Sequence, residues 1–161
     1  MENEEFHFFW DGPFSQWHPS PMTIDGGTYN CAEQYMMYIK AQIFEDEDTA
    51  TKIMESQHPA QQKALGRKVK NFDKKKWDAI ARLVVYKGNM NKFQQNDELR
   101  ERLMETTGTI VEASPHDPIW GIGLSENDPR CKSRDTWQGT NWLGEVVTAV
   151  REQLKKDMEN D

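Results

Sequence analysis

Metal-binding and disulfide-forming residues are scarce in this sequence. Two cysteines, Cys31 and Cys131, and four histidines, His7, His18, His58 and His116, are scattered along 161 residues. Two cysteines make no disulfide framework, and neither has a partner at metal-ligand spacing. A free pair in a reducing compartment is therefore expected, and no metal site. No run approaches the ~18 apolar residues of a membrane span, and the chain does not open on a basic segment followed by an apolar one. These absences lead to the expectation of a cytoplasmic protein with no membrane partner. Phosphate loops, dinucleotide fingerprints, nucleophile elbows, repeats and low-complexity tracts are missing as well, and no cofactor is expected.

Large side chains and an uneven charge are what the chain does have. Six Trp, seven Phe, four Tyr and eight Met compensate for a hydrophobic content of only 36%, since each buries much area. The length is that of one domain, taken as residues 1–161 with a core over about 6–151 and frayed termini. Net charge is −7, which argues against whole-molecule attraction to nucleic acid. The stretch from Lys63 to Lys76 runs the other way: Lys63, Arg67, Lys68, Lys70, Lys74, Lys75 and Lys76 stand there against one acid, Asp73. It reads either as a solvated face or as a rim for phosphate.

Periodicity and capping residues outline the elements. Phe6 to Trp10 is strand-like. Met22-Thr23-Ile24, Asp25-Gly26-Gly27 and Thr28-Tyr29 form a hairpin pattern, because glycine accepts positive φ at little cost. Asn30 followed by Glu33 has the spacing of a capping box, opening a helix through Lys40. Asp46 or Asp48 caps a short helix to Met54, His58-Pro59 starts another that Gly66 closes, and Asp73 caps the longest, with Trp77, Ile80, Val84, Lys87 or Gly88, and Asn91 on one face that Phe93 ends. Asp97 opens a helix to Thr106, Thr109 to Ala113 is a short strand, and 125–138 is a polar loop. Thr140 or Asn141 caps a last helix with Leu143, Val146, Val147, Val150 and Leu154 as its stripe, fraying beyond Lys155. The class is mainly α: a compact orthogonal helical domain of about six helices with a small β element near the N-terminus.

Several positions carry possible chemistry. Glu33 and Lys40 lie seven residues apart, on one face of an otherwise apolar helix. They are either surface groups or the lining of a pocket. Trp17 and Trp120 occur in irregular, Pro- or Gly-bounded segments. Gly121 and Gly123 permit close backbone approach. Asp117 is a turn former or a functional acid. Asn141 and Gly144 open the last helix, whose N-terminus reads as a phosphate seat, while a capping role alone explains Asn141 equally well.

Taken together these segments resemble the NADAR (YbiA-like) family. The matching pieces are Phe14-Ser15-Gln16-Trp17 with Pro19, Tyr29 to Lys40, Leu65-Gly66-Arg67, Trp77-Asp78, Lys92-Phe93-Gln94-Gln95-Asn96 and Leu103 to Gly108. Glu112-Ala113-Ser114 with Asp117, Trp120 to Gly123, and Gly139 to Gly144 with Arg151 complete the set. They run in the family's order from about Phe6 to Arg151. Gln16 stands where an Asn is common and Gln34 where a His is common.

The resemblance implies a helical fold and an N-glycosidase, a hydrolase of ribose–nitrogen bonds. Its substrate would be a phosphorylated ribosylamine: either an intermediate of riboflavin biosynthesis or ADP-ribosyl-guanine in nucleic acid. Lys40 would attack C1′ and pass through a Schiff base, with Glu33 and Asp117 moving protons. Trp17 or Trp120 would stack on the base, with Trp77 and Gly121 also in the site. Arg67, Lys92 and the Asn141–Gly144 helix start would hold phosphate. The rival enzymatic reading is direct attack by water with Lys40 as an electrostatic partner. The rival non-enzymatic one is a module that binds ADP-ribose or a nucleotide without cleaving it. Oligomeric state is open.

Overall fold

Asp25 and Gly26 set the first turn. Both have positive φ, 50° and 86°, the geometry that matches the twist of paired strands. The turn joins β2 (Met22–Ile24) to β3 (Gly27–Tyr29) in antiparallel register, Met22 opposite Tyr29. A computed structural model describes residues 4–160. They pack as two compact units: Gln16–Asp97, and the segment up to Ser15 joined by the chain from Glu98 onward.

The first unit holds the hairpin and four helices: α1 (Ala32–Ile43), α2 (Glu47–Glu55), α3 (Pro59–Gly66) and α4 (Lys74–Gln95). Asp46 caps α2 by accepting from the Thr49 N–H at 3.1 Å, and Asp73 caps α4 through the Lys76 N–H at 3.2 Å. Helix α1 is central, packed on α2, α3 and α4. Two glycines allow the close approach: a Cβ at Gly66 would strike Met37 Sδ, and one at Gly88 would stand 2.9 Å from the Tyr35 ring. Gly66 therefore lies inside α3 as a packing residue and not beyond it as a terminator. The core gathers Met22, Ile24, Tyr29, Ala32 and Tyr35. Along α4 the buried face is Trp77, Ala81, Val85, Gly88, Asn89, Lys92 and Phe93. It shares Trp77, Gly88 and Phe93 with the expected face, has Ala81 and Val85 in place of Ile80 and Val84, and takes in a lysine and an asparagine.

The start of α1 corrects the expected capping box. Cys31 occupies the cap position and makes no side-chain cap bond. The Asn30 N–H is taken by Gln34 Oε1 at 2.8 Å, not by Glu33. Gln34 lies one residue further round the helix, and its longer reach is backed by its amide nitrogen, which donates to Ile53 O and Ser56 O at 3.1 and 3.2 Å. The Glu33 backbone N–H donates to Gln16 O at 2.9 Å.

The second unit contains β1 (Phe6–Phe9), α5 (Asp97–Met104, all but its first residue), β4 (Thr109–Glu112) and α6 (Trp142–Glu159). Strands β1 and β4 pair in parallel, Phe6 opposite Thr109. Helix α6 packs on β4 and runs to Glu159, past the Lys155 limit read from its apolar stripe. The segment 125–138 is more ordered than a plain loop, with two 3₁₀ turns, Pro129–Lys132 and Arg134–Thr136. Cys131 there joins Val111, Ile122 and Leu124 in the core. Buried Arg151 on α6 donates to Thr106 Oγ1 and Gly108 O, tying the helix to the turn before β4. Both cysteines are free and buried, and no helix among the described residues is long and apolar enough to cross a membrane.

Candidate active site

Lys40 lies near the C-terminal end of α1, where most of the helix is apolar and buried. Its Nζ stands 4.5 Å from the centre of the Phe72 ring and 6.0 Å from that of Trp77. Burial pushes the Lys40 amine below its ordinary range. The Glu33 carboxylate pulls it back up, and the Arg67 guanidinium adds to the depression. Glu33 itself is buried, on the same helix face two turns earlier. The first unit thus brings Glu33, Lys40, Arg67 and Trp77 into one electrostatic and aromatic neighbourhood. A partly desolvated lysine beside a second cation is how proteins raise the neutral, nucleophilic fraction of an amine.

The other expected residues of this unit fall differently. Trp17 is 43% exposed, with Lys63 Nζ 6.0 Å from its ring centre, a placement open to a planar ligand. Lys92 has no exposed surface. Burial drives its pKa down to about 7, with the nearby Cys31 acting in the opposite sense. A side chain so enclosed does not present a cation to a phosphate, which corrects the role expected for Lys92. Gln95 and Asn96 of the same motif hold hairpin backbone, Gln95 by a reciprocal pair with Thr23 and Asn96 by donating to Pro21 O.

The remaining expected residues lie in the second unit, where most of their polar capacity goes into the fold. Asp117 Oδ1 accepts from the Ile119 and Trp120 N–H groups at 3.0 and 2.8 Å, the pattern of a turn-forming aspartate. Trp120 packs edge-on against Trp142, ring centres 5.5 Å apart. The close approach at Gly121 is to its own chain, since a Cβ there would lie 2.8 Å from Glu112 O.

The anion seat expected at Asn141 and Gly144 is also corrected. Asn141 takes a left-handed conformation, φ 54°. Its side chain accepts from Glu112 N–H at 2.9 Å and donates to Ile110 O at 3.1 Å, completing the edge of β4. The first N–H groups of α6, those of Trp142 and Leu143, donate to Ile119 O and Trp120 O. A Cβ at Gly144 would collide with Ile110 O and the Asn141 amide. These groups are spent on packing α6 against β4.

Phe72 and its neighbour Phe44 are absent from the residues expected to form the site, although Phe72 makes the nearest aromatic contact described for the Lys40 amine. The available signal was an apolar aromatic inside a basic run, directly before the Asp73 cap.

The family model for the NADAR domain matches residues 8–155. Protein irg-1 of Caenorhabditis elegans is 44% identical over 129 residues, which cover 78% of this chain but 61% of that protein. N-glycosidase R617 of Acanthamoeba polyphaga mimivirus is 41% identical over 167 residues, with 95% of this chain and 98% of the relative covered. N-glycosidase YbiA of Escherichia coli K12 is 31% identical, with 89% and 81% covered. The NMR structure of the E. coli protein YbiA superposes with a TM-score of 0.79 at 26% identity, covering 100% of this chain and 91% of that one.

Proposed function

The chain belongs to the NADAR family, and from that premise we propose that it is an N-glycosidase, a hydrolase of ribose–nitrogen bonds acting through Lys40. The observation that carries the reading is the Lys40 amine, on a buried helix face, under an aromatic ring and lowered in pKa by burial and by Arg67. A ribosylamine opens its sugar ring to an imine at C1′. The neutral Lys40 Nζ adds to that carbon, the base nitrogen takes a proton and leaves, and a Schiff base between Nζ and C1′ remains. Water then adds to C1′, and the aldehyde sugar departs with the lysine restored. Glu33 supplies and recovers the protons. Asp117, expected as a second proton carrier, has Oδ1 engaged in the turn into Trp120 and is left out of this scheme.

The substrate is a phosphorylated N-riboside in the cytoplasm, with Arg67 as the phosphate contact and Trp17 available for stacking. A riboflavin-pathway intermediate and ADP-ribosyl-guanine in nucleic acid both have the required C1′–amine linkage. Borohydride added during turnover is expected to leave a reduced sugar adduct on Lys40, read by peptide mass spectrometry. Full activity in Lys40→Ala, or turnover without an adduct, overturns the Schiff-base route. High activity in Lys40→Arg would point instead to direct attack by water.

A further inference from the structure

The loop between α3 and α4 has no regular structure, yet it is held at several points. Val69 is buried. The Lys70 N–H donates to Asp46 Oδ2 at 2.9 Å, and Asp73 caps α4. Between these anchors Asn71 takes a positive φ of 60°, a reversal that asparagine tolerates. The next residue, Phe72, is brought against Lys40 by that reversal. Its ring packs edge-on against Phe44, centres 5.4 Å apart. Phe72 nevertheless stays 44% exposed, whereas Trp77, the other ring near the amine, is only 6% exposed. Core packing accounts for Trp77. It does not account for an anchored ring left open to solvent beside a lysine.

We propose that Phe72 is the platform on which the leaving base of the N-riboside stacks. The inference rests on the N-glycosidase reading and adds to it the recognition of a planar heterocycle. An attacking amine must come within about 3–3.5 Å of C1′, and the base nitrogen is one bond beyond that carbon. The centre of the Phe72 ring is 4.5 Å from Nζ, so a base joined at C1′ on the ring side of the amine can reach the ~4.5–7 Å centre-to-centre range of stacked rings. The charge pattern agrees. The electron-rich ring face lies against the Lys40 amine. When the amine turns neutral and bonds to C1′ that contact is given up, and the face is free for the base. Ribose and phosphate have no π-face with which to stack on the ring. Since every base has a π-face, the platform accepts purines and pyrimidines alike and favours the larger.

The test uses Phe72→Leu and Phe72→Trp in the full chain with three 5′-phosphoribosylamine probes. One carries guanine through its N2, one a single-ring aminopyrimidine, and one an N-alkyl group with no ring. For Phe72→Leu, kcat/KM is expected to fall about 5- to 100-fold with guanine, less with the pyrimidine, and under about two-fold with the alkyl probe. Phe72→Trp is expected to restore the guanine rate. Equal losses for all three probes would show that the ring only shields Lys40 and would overturn the platform, as would no loss for any. If the wild-type protein turned over none of the probes, the N-glycosidase reading would fail and the platform with it. Turnover by wild type with Phe72→Leu unaffected would remove the platform alone.

Discussion

Lys40 and Lys92 are both lowered by burial, and the difference in their surroundings separates their consequences. Lys40 is partly buried with a carboxylate and a guanidinium acting on it, so its proton is under the control of two side chains. In the proposed mechanism activity rises as pH climbs through the Lys40 pKa, because only the neutral amine attacks. Removing the Arg67 charge eases protonation of Lys40, so Arg67→Gln is expected to move the acid limb of the kcat/KM profile to higher pH. At pH 7 the rate should drop about two- to five-fold. Glu33→Gln should move the same limb the other way while lowering kcat, since a proton carrier is lost. Limbs that moved together in the two variants would contradict this assignment. Lys92 instead affects stability. Its ordinary value of 10.5 falls to about 7 in the fold, so between those values the unfolded chain binds a proton that the native state lacks. Stability therefore rises with pH across that window, by up to about 1.4 kcal/mol per pH unit, and the burial penalty is fully present below it. Urea unfolding of wild type and Lys92→Met from pH 6.5 to 9.5 measures this. The difference should move in favour of wild type as pH rises, and a constant difference would mean that Lys92 keeps its proton in the fold.

Single side chains also decide how the elements begin. Gln34 satisfies the Asn30 N–H and two carbonyls at the end of α2 and just beyond it. Gln34→Ala leaves the Asn30 N–H without its acceptor, whereas Ile53 O and Ser56 O keep the Ser56 N–H and Gln62 Nε2 as donors, so it should cost about 1–2 kcal/mol of unfolding free energy in urea titrations. Gly144→Ala should destabilise by about 1–3 kcal/mol, although alanine is the better helix former by about 1 kcal/mol. The added methyl meets the Ile110 carbonyl and the Asn141 amide, and a paired strand cannot yield as a flexible side-chain end would. A thermal midpoint at or above that of wild type would contradict the packing role of Gly144. Such examples show where the sequence was legible. The caps made by Asp46 and Asp73 and the Asp25-Gly26 turn involve neighbours within four residues, and local pattern was enough to find them. The shared face of Glu33 and Lys40 followed from a seven-residue spacing in the same way. Gln34 was missed because its partners lie up to 22 residues away, and nothing local distinguishes it from Glu33 as the closing residue of a cap. The β1–β4 pairing joins segments about a hundred residues apart, beyond any periodicity. Lys92 was expected to hold phosphate, and no local pattern marks a lysine in a polar helix as fully buried. Phe72 stands in a loop, where no repeat marks which way a ring points.

Across the whole molecule, the charge of −7 and the basic stretch of 63–76 make opposite demands on an extended anionic substrate. Screening decides which one acts. With a Debye length of about 8 Å at physiological salt, charges elsewhere on the chain are largely screened from a strand lying along the patch, while charges within it are not. Every basic residue of the stretch except the half-buried Lys63 is exposed. Lys74 is held by Asp78, and Lys76 lies over the Phe44 ring, so Lys68, Lys70 and Lys75 are the cations to neutralise. If the natural substrate is ADP-ribosylated single-stranded nucleic acid, each phosphate contact adds about 0.7 to the slope of log affinity against log salt. The triple variant Lys68→Gln, Lys70→Gln, Lys75→Gln should then lose up to about 2 from that slope on a modified oligonucleotide. Its kcat/KM for a small phosphoribosylamine should stay within about two-fold of wild type, because that ligand does not extend along the loop. Neutralising Lys132, Lys155 and Lys156 provides the control, since it changes net charge by the same three units outside the patch. An equal slope change in both triple variants would assign the effect to net charge. Unchanged slopes in the patch variant would make the basic stretch a solvated face and the small metabolite the better substrate.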